Sequence, residues 1–233
     1  YPYEDYTDLK VRKYGFHGTS HRYVSEVARE MLGKEDSKII VCHLGNGASI
    51  SAVQNGKVVD TSMGMTPLAG IMMGTRTGDA DPASVIYIMR KRGLSLDEMN
   101  TRMNKQSGIL GIFGESSDFR DLDTARREGN ERAVLAYEMF CYRIQLYIGA
   151  YVAAMNGVDA IAFTGGIGEN SVGVKKHICE SLSYFGIELD EEKNAQRLPG
   201  NVELSTKDSK VKIYKIETAE ELVIARDTYR LTK

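Results

Sequence analysis

The sequence predicts an α/β fold, a mixed β-sheet flanked by helices and interrupted by a helical insertion. Short β-branched runs joined by a strong turn signal come early, helical periodicity fills the middle, and strand then helix alternate toward the end. Two separate strand-like runs, "IIVCHL" and "AIAFT", each lead straight into a glycine-rich segment.

Taken in order, "TSHRYVSEVAREML" (Thr19 to Leu32) opens with residues able to cap and spaces Tyr23, Val24, Val27, Met31 and Leu32 as a helix, ended by Gly33. "KIIVCHL" is a β-branched run, "ASISAVQ" alternates, and Asn55-Gly56 marks a hairpin before "KVVDTS", so adjacent antiparallel strands are expected. Met63 to Pro82 is too rich in glycine and proline for regular structure except a helical turn near Leu68 to Met72; a loop of this length usually serves a function. "ASVIYIMRKRG", "SLDEMNTRMNK" and "DLDTARREG" read as helices, the second with a capping box in Ser95 and Glu98. Asn130 to Asn156 is a long helix, apolar on nearly every face, which implies a large core or a subunit interface. "DAIAFT" is a buried strand entering the loop "GGIGENS", "VGVKKHICESLSYFG" is helical, and "KVKIYKI" is the last strand. "TAEELVIARDTYRL" closes the chain with a second capping box in Thr218 and Glu221.

The 233 residues, 42% hydrophobic and 27% charged, suffice for a real core. A net charge of −2 supplies no global field toward nucleic acid or an anionic membrane, so neither partner is expected. Cys42, Cys141 and Cys179 lack metal spacing and read as buried thiols in a reducing compartment. No leader-like segment and no apolar run of bilayer length is seen, and the expectation is a cytoplasmic protein. The tyrosine-rich opening "YPYEDYTDLKVRKYGFHG" reads more like the middle of a polypeptide than a start.

Several groups of residues have chemistry-bearing patterns. Glycines at strand ends let backbone N–H groups approach a phosphate, so His43 to Gly47 and Gly166 to Asn170 are either phosphate-binding segments or plain turns. "GGIGEN" lacks the third glycine of a dinucleotide fingerprint and the lysine of a P-loop. His17 and His21 suit stabilisation of developing negative charge, a metal pair, or local hydrogen bonding. Arg76 offers a fork of donors to a transferring phosphoryl group, or an ion pair to Asp79 or Asp81. Asp118, Phe119 and Arg120 could flank a base or only cap a helix. Glu220 and Glu221 suit either Mg²⁺ or the positive end of a helix.

Together "KYGFHGTSH", "HLGNGASI", "DTSMGMTPLAGIMMGTRTGD", "NKQSGILGIFGESSDFRDLD", "FTGGIGENS" and "TAEELVIARDT", in this order, resemble the acetate kinase family from about Val11 onward. The resemblance implies a ribonuclease H-like fold of the actin-like ATPase kind, and reversible phosphoryl transfer between ATP and acetate, giving acetyl phosphate and ADP with Mg²⁺. It implies that His17 and Arg76 stabilise the transition state, and that His43, Leu44, Gly45, Asn46 and Gly47 bind phosphate. It also assigns Asp118, Phe119, Arg120, Gly166, Ile167, Gly168, Glu169 and Asn170 to the adenosine, Glu220 to Mg²⁺, and Phe16 and Pro67 to the acetate methyl pocket.

Family chains carry a further N-terminal domain that this sequence does not match. The chain is thus expected to be the C-terminal nucleotide-binding domain (1–233), with residues 1–14 an inter-domain segment and 219–233 a helix that would pack on the absent domain. The isolated chain is expected to be inactive, and a homodimer through this domain is implied. Propionate or butyrate as substrate, and a nucleotide-binding module of actin or Hsp70 type without a carboxylate substrate, are the competing expectations.

Overall fold

The computed structural model describes residues 1–233. Its helices are α1 (Tyr3–Leu9), α2 (Gly18–Leu32), α3 (Pro82–Arg92), α4 (Leu96–Lys105), α5 (Gly108–Phe113), α6 (Phe119–Arg127), α7 (Glu131–Met155), α8 (Gly165–Asn170), α9 (Val172–Glu180), α10 (Glu191–Ala195) and α11 (Glu220–Thr232). The strands are β1 (Lys38–Leu44), β2 (Ala48–Gln54), β3 (Lys57–Thr61), β4 (Ala160–Thr164), β5 (Val202–Glu203) and β6 (Lys212–Lys215). The chain divides into two compact units, residues 1–16 with 61–143 and residues 17–60 with 144–233. No helix is long and apolar enough to cross a membrane.

The second unit holds a mixed sheet of order β3-β2-β1-β4-β6-β5. β1 runs antiparallel to β2 and parallel to β4, which in turn is parallel to β6. Asn55 and Gly56 both take positive φ, as the hairpin signal requires. One face of α2 carries His21, Val24, Ser25 and Ala28, the i, i+3, i+4, i+7 stripe of a half-buried helix. Val24 and Ala28 pack on Ile39 and Val41 of β1, Ala160 and Ala162 of β4, and Tyr214 and Ile216 beyond them. Burial of a Val side chain contributes roughly 1.5–3 kcal/mol, so this layer anchors α2, and with it the segment that precedes α2.

"ASISAVQ" alternates in sequence, but its burial does not. Every residue of β2 except Gln54 is buried. Ser49 and Ser51 stay inside because they hydrogen-bond histidine rings, which satisfies the rule for buried polar groups.

The first unit contains the long glycine-rich loop and α3 to α6. The helical turn expected at 68–72 does not form. Gly70 N–H donates to Asp79 Oδ1 (2.7 Å), and Gly70 O accepts from the Asp79 backbone (2.8 Å), so the backbone bonds run across the loop instead of along a helix. The Ser95–Glu98 capping box is present in full. The second expected box is not: α11 begins at Glu220 behind Ala219, and no side chain caps it. Thr218 is engaged elsewhere, as described below. "GGIGEN", expected as a loop, is the short helix α8.

All three cysteines are free and buried. Desolvation pushes the thiols of Cys141 and Cys179 up to about 12 and that of Cys42 higher still, so none is a reactive thiolate.

Candidate active site

His17 precedes α2 in the left-handed region (φ 55°, ψ 27°), an uncommon conformation for a residue with a side chain and one that concentrates at functional sites. Its Nδ1 lies 2.8 Å from Ser49 Oγ, and the same hydroxyl lies 2.7 Å from His21 Nε2. His21 Nδ1 meets Ser51 Oγ at 2.8 Å. The His17 ring stacks on His43, with centroids 4.3 Å apart and planes inclined by 24°. His43 Nδ1 lies 2.8 Å from Ser20 Oγ, which accepts from Thr218 Oγ1 at 2.9 Å. The His17 and His21 imidazoles are bridged by the Ser49 hydroxyl, and no group of three or more His, Cys, Asp or Glu side chains is arranged for a metal ion.

His21 is 3% exposed, and burial, followed by the nearby His43 and His17, lowers its pKa from 6.5 to about 3. Burial also lowers that of His43. The unfolded chain binds a proton at His21 that the folded chain refuses. This contribution to stability is therefore complete above about pH 6.5 and is lost as pH falls toward about 3. We expect acid unfolding to steepen by up to ~1.4 kcal/mol per pH unit in that window. His21→Asn should show the shallower slope in urea titrations at stepped pH, and equal slopes would refute the assignment.

The two glycine segments leave the sheet side by side. β1 and β4 pair in parallel with His43 opposite Thr164, so Gly45 to Gly47 and Gly165 to Asn170 both emerge at the carboxyl ends of adjacent strands. That edge is where open α/β sheets bind ligands. A Cβ on Gly165, whose φ is +77°, would fall 2.8 Å from Leu44 O, so only glycine lets the segments approach so closely.

Glu169, expected at the adenosine, serves as an internal clamp. Its Oε1 accepts from Gly165 N–H (2.9 Å), Thr164 Oγ1 (3.4 Å) and Thr218 N–H (3.3 Å), which ties β4 and α8 to the start of α11. Lys175, 2% exposed, donates from Nζ to the carbonyls of Gly168, Glu169 and Ser171, each at 3.1 Å, and so closes the carboxyl end of α8; desolvation lowers its pKa to about 8. Asn170 Nδ2 donates to Gly166 O at 3.0 Å. Gly166 is exposed and Ile167 half-buried, while Gly168 is buried against β1. Glu220 is exposed on the first turn of α11. Sequence reasoning missed Ser20, Ser49, Ser51, Lys175 and Thr218. The Ser-Ile-Ser alternation opposite "VCH" was the available signal for Ser49 and Ser51.

In the first unit Arg76 does not pair with Asp79 or Asp81. Its Nη1 donates to Pro67 O at 2.9 Å, Asp79 pairs with Arg143 at 2.9 Å, and Asp81 caps α3. The Arg76 loop is held by α5 and its approach: Ser107, Ile109 and Leu110 N–H donate to the carbonyls of Thr75, Met73 and Gly74. Phe16 and Pro67 are half-buried. Asp118 caps α6 and forms an ion pair with Arg120 at 2.6 Å, which holds its carboxyl at about 2; Phe119 turns inward onto Tyr137 and Phe140. Thus His17, His43 to Gly47, Gly166 to Asn170 and Glu220 belong to one unit, and Phe16, Pro67, Arg76 and Asp118 to Arg120 to the other.

A mixed six-stranded sheet flanked by helices, with glycine segments at the ends of neighbouring parallel strands, has the architecture of the actin-like ATPase fold. The acetokinase family model matches residues 1–226, and the chain belongs to that family. It is 64% identical over 233 residues to the acetate kinase of Fusobacterium nucleatum, covering 100% of this chain and 58% of the relative. It is 56% identical to that of Heliobacterium modesticaldum, with the same coverage. Among solved structures, the acetate kinase of Porphyromonas gingivalis superposes with a TM-score of 0.96 at 46% identity, covering 100% of this chain and 59% of that one. A propionate kinase from Francisella tularensis superposes with a TM-score of 0.91 at 44% identity, covering 97% and 58%. The chain spans about 58% of the length of these curated relatives.

Proposed function

We propose that the chain is the C-terminal, nucleotide-binding part of an ATP:acetate phosphotransferase, which interconverts acetate and ATP with acetyl phosphate and ADP. The observation that carries this reading is the parallel pairing of His43 with Thr164, which sets two glycine segments at one ligand-binding edge. The acetate kinases at 64% and 56% identity support the reaction class.

In this reading His43 to Gly47 form the phosphate-binding segment, and His17 and Arg76 offset the charge that develops on the transferring group. Gly166 to Asn170 and Asp118 to Arg120 bind the adenosine. Phe16 and Pro67 wall the pocket for the acetate methyl. Glu220, exposed on the first turn of α11, fits Mg²⁺ only as one ligand among phosphate oxygens and waters, the usual mode for that ion. When bound, the ion neutralises phosphate charge. The protein's contribution is then positioning and electrostatics, because phosphoryl transfer asks little covalent chemistry of it.

The reading places residues 1–14 between domains and α11 against a domain that precedes this chain. Leu222 and Leu231 are 42% and 79% exposed on α11, as such a role requires, whereas Val223 is buried. The chain alone should therefore bind nucleotide without turnover. ATP formation from ADP and acetyl phosphate should be absent for the 233 residues and present for the full-length polypeptide. Normal turnover by the chain alone would refute the division of labour. Propionate is the second reading, supported by the propionate kinase superposition, and the ratio of kcat/KM for the two acyl phosphates in the full-length protein decides between them. The setting of this reaction is the cytoplasm.

The expected assembly is a homodimer. Leu135, Met139, Tyr142 and Leu146 lie at i, i+4, i+7 and i+11 on α7 and are each at least 38% exposed, an apolar stripe suited to a second copy. Light scattering after size exclusion should give twice the 25.9 kDa chain mass, and Leu135→Glu with Tyr142→Glu should give the monomer. A monomeric wild type would remove the proposal.

A further inference from the structure

The Ser49 hydroxyl lies between two imidazoles, 2.8 Å from His17 Nδ1 and 2.7 Å from His21 Nε2, and His21 Nδ1 is 2.8 Å from Ser51 Oγ. Ser49 and Ser51 are 0% and 1% exposed. A hydroxyl has one proton to donate, and a neutral imidazole has one N–H and one lone pair. Burial keeps His21 neutral at physiological pH. The series Ser51, His21, Ser49, His17 therefore has one polarity, running outward, in which every hydroxyl proton finds an acceptor within the series; any other, whether reversed or with both rings donating to Ser49, leaves one hydroxyl proton without such an acceptor.

In the outward polarity Ser51 donates to His21 Nδ1, His21 Nε2–H donates to Ser49, and Ser49 donates to His17 Nδ1. Neutral His17 then carries its proton on Nε2. In the inward polarity every bond reverses, the Ser51 proton needs another acceptor in a dry site, and His17 is left with a lone pair on Nε2. A lone pair facing a phosphoryl oxygen is repelled, whereas an N–H is attracted.

We infer that Ser49 and His21 are positioning residues that hold His17 in its Nε2–H tautomer, so that a donor and not a lone pair meets the phosphoryl group. The target, though not the tautomer, rests on the phosphotransfer reading above. Thr218 extends the same logic to the stacked ring: it donates to Ser20, whose own proton is then directed to His43 Nδ1.

The test is long-range ¹H–¹⁵N correlation on the whole histidine-labelled chain at mildly alkaline pH, where an ordinary imidazole is neutral. Wild type should show His17 and His21 each as a single Nε2–H tautomer. Ser49→Ala should shift the His17 ring nitrogens toward the averaged values of a free imidazole, and Ser49→Thr should restore them. A wild-type His17 that is averaged, doubly protonated or Nδ1–H overturns the inference, as does a Ser49→Ala spectrum with His17 unchanged. Should Ser49→Ala not fold, the wild-type spectrum still decides, because it reads the polarity without a substitution. The readout needs neither nucleotide nor turnover. A chain that fails to bind ADP can still confirm the tautomer, and one that binds ADP with an averaged His17 refutes this inference alone.

Discussion

Gly165→Ala is expected to abolish ADP binding and to destabilise the chain by about 2–5 kcal/mol, the sum of a left-handed backbone imposed on a residue with a Cβ and a steric overlap in a packed site. The overlap is specific: the new Cβ would meet Leu44 O at 2.8 Å and Leu44 N at 3.2 Å, on the strand end that opens the His43 to Gly47 segment. Relief requires the two segments to part. Separation also strains the Gly165 N–H bond to Glu169 and, through it, the hold on Thr218. Gly166→Ala is the control for stability, since nothing lies within 4 Å of its Cβ position and its backbone is helical. Urea unfolding of both variants, with ADP titration of the first, checks the prediction. A Gly165→Ala chain as stable as Gly166→Ala would refute the close approach.

Arg76→Ala, made in the full-length polypeptide, should lower kcat for phosphoryl transfer by about 10³ or more, as for other arginines that spread donors over a transferring phosphoryl group. Unfolding should be little affected, because the side chain's polar contacts are confined to Pro67 O and Met73 Sδ. Arg76→Lys should fail to restore the rate: an ammonium cannot bond Pro67 and also present a planar fork. Nucleotide affinity should change far less than kcat, since the interaction is made with the transition state. A fall of less than about tenfold would remove Arg76 from that role.

The long or strongly signalled elements were legible in the sequence. α2 forms and stops at Gly33, although its buried face is His21, Val24, Ser25 and Ala28 and leaves Met31 exposed; α4 has its box, and Asn55-Gly56 turns the hairpin, each a local cause with a local effect. α1, α5, α10 and β5 were not foreseen. They span 7, 6, 5 and 2 residues, too short for propensity to hold them without tertiary contacts. Thr218 and Glu221 have capping-box spacing, yet the Thr218 hydroxyl turns to Ser20, 198 residues away in sequence, an interaction no local pattern records. Glu169 and Phe119 show the same limit at the candidate site. Glu169 accepts from Thr218 N–H, and Phe119 packs on Phe140, through partners far along the chain that no local pattern records. Ser49 marks the opposite case, a polar residue whose period was visible and whose buried partner was not.

Calorimetric titration of the 233-residue chain with ADP in the presence of Mg²⁺ tests the account most directly, because it asks for the site and not for turnover. Saturable binding at one site per chain is the predicted result. Absence of saturable binding at millimolar ADP would contradict it, and the paired glycine segments at the carboxyl edge of β1 and β4 would then not form a nucleotide site in this chain.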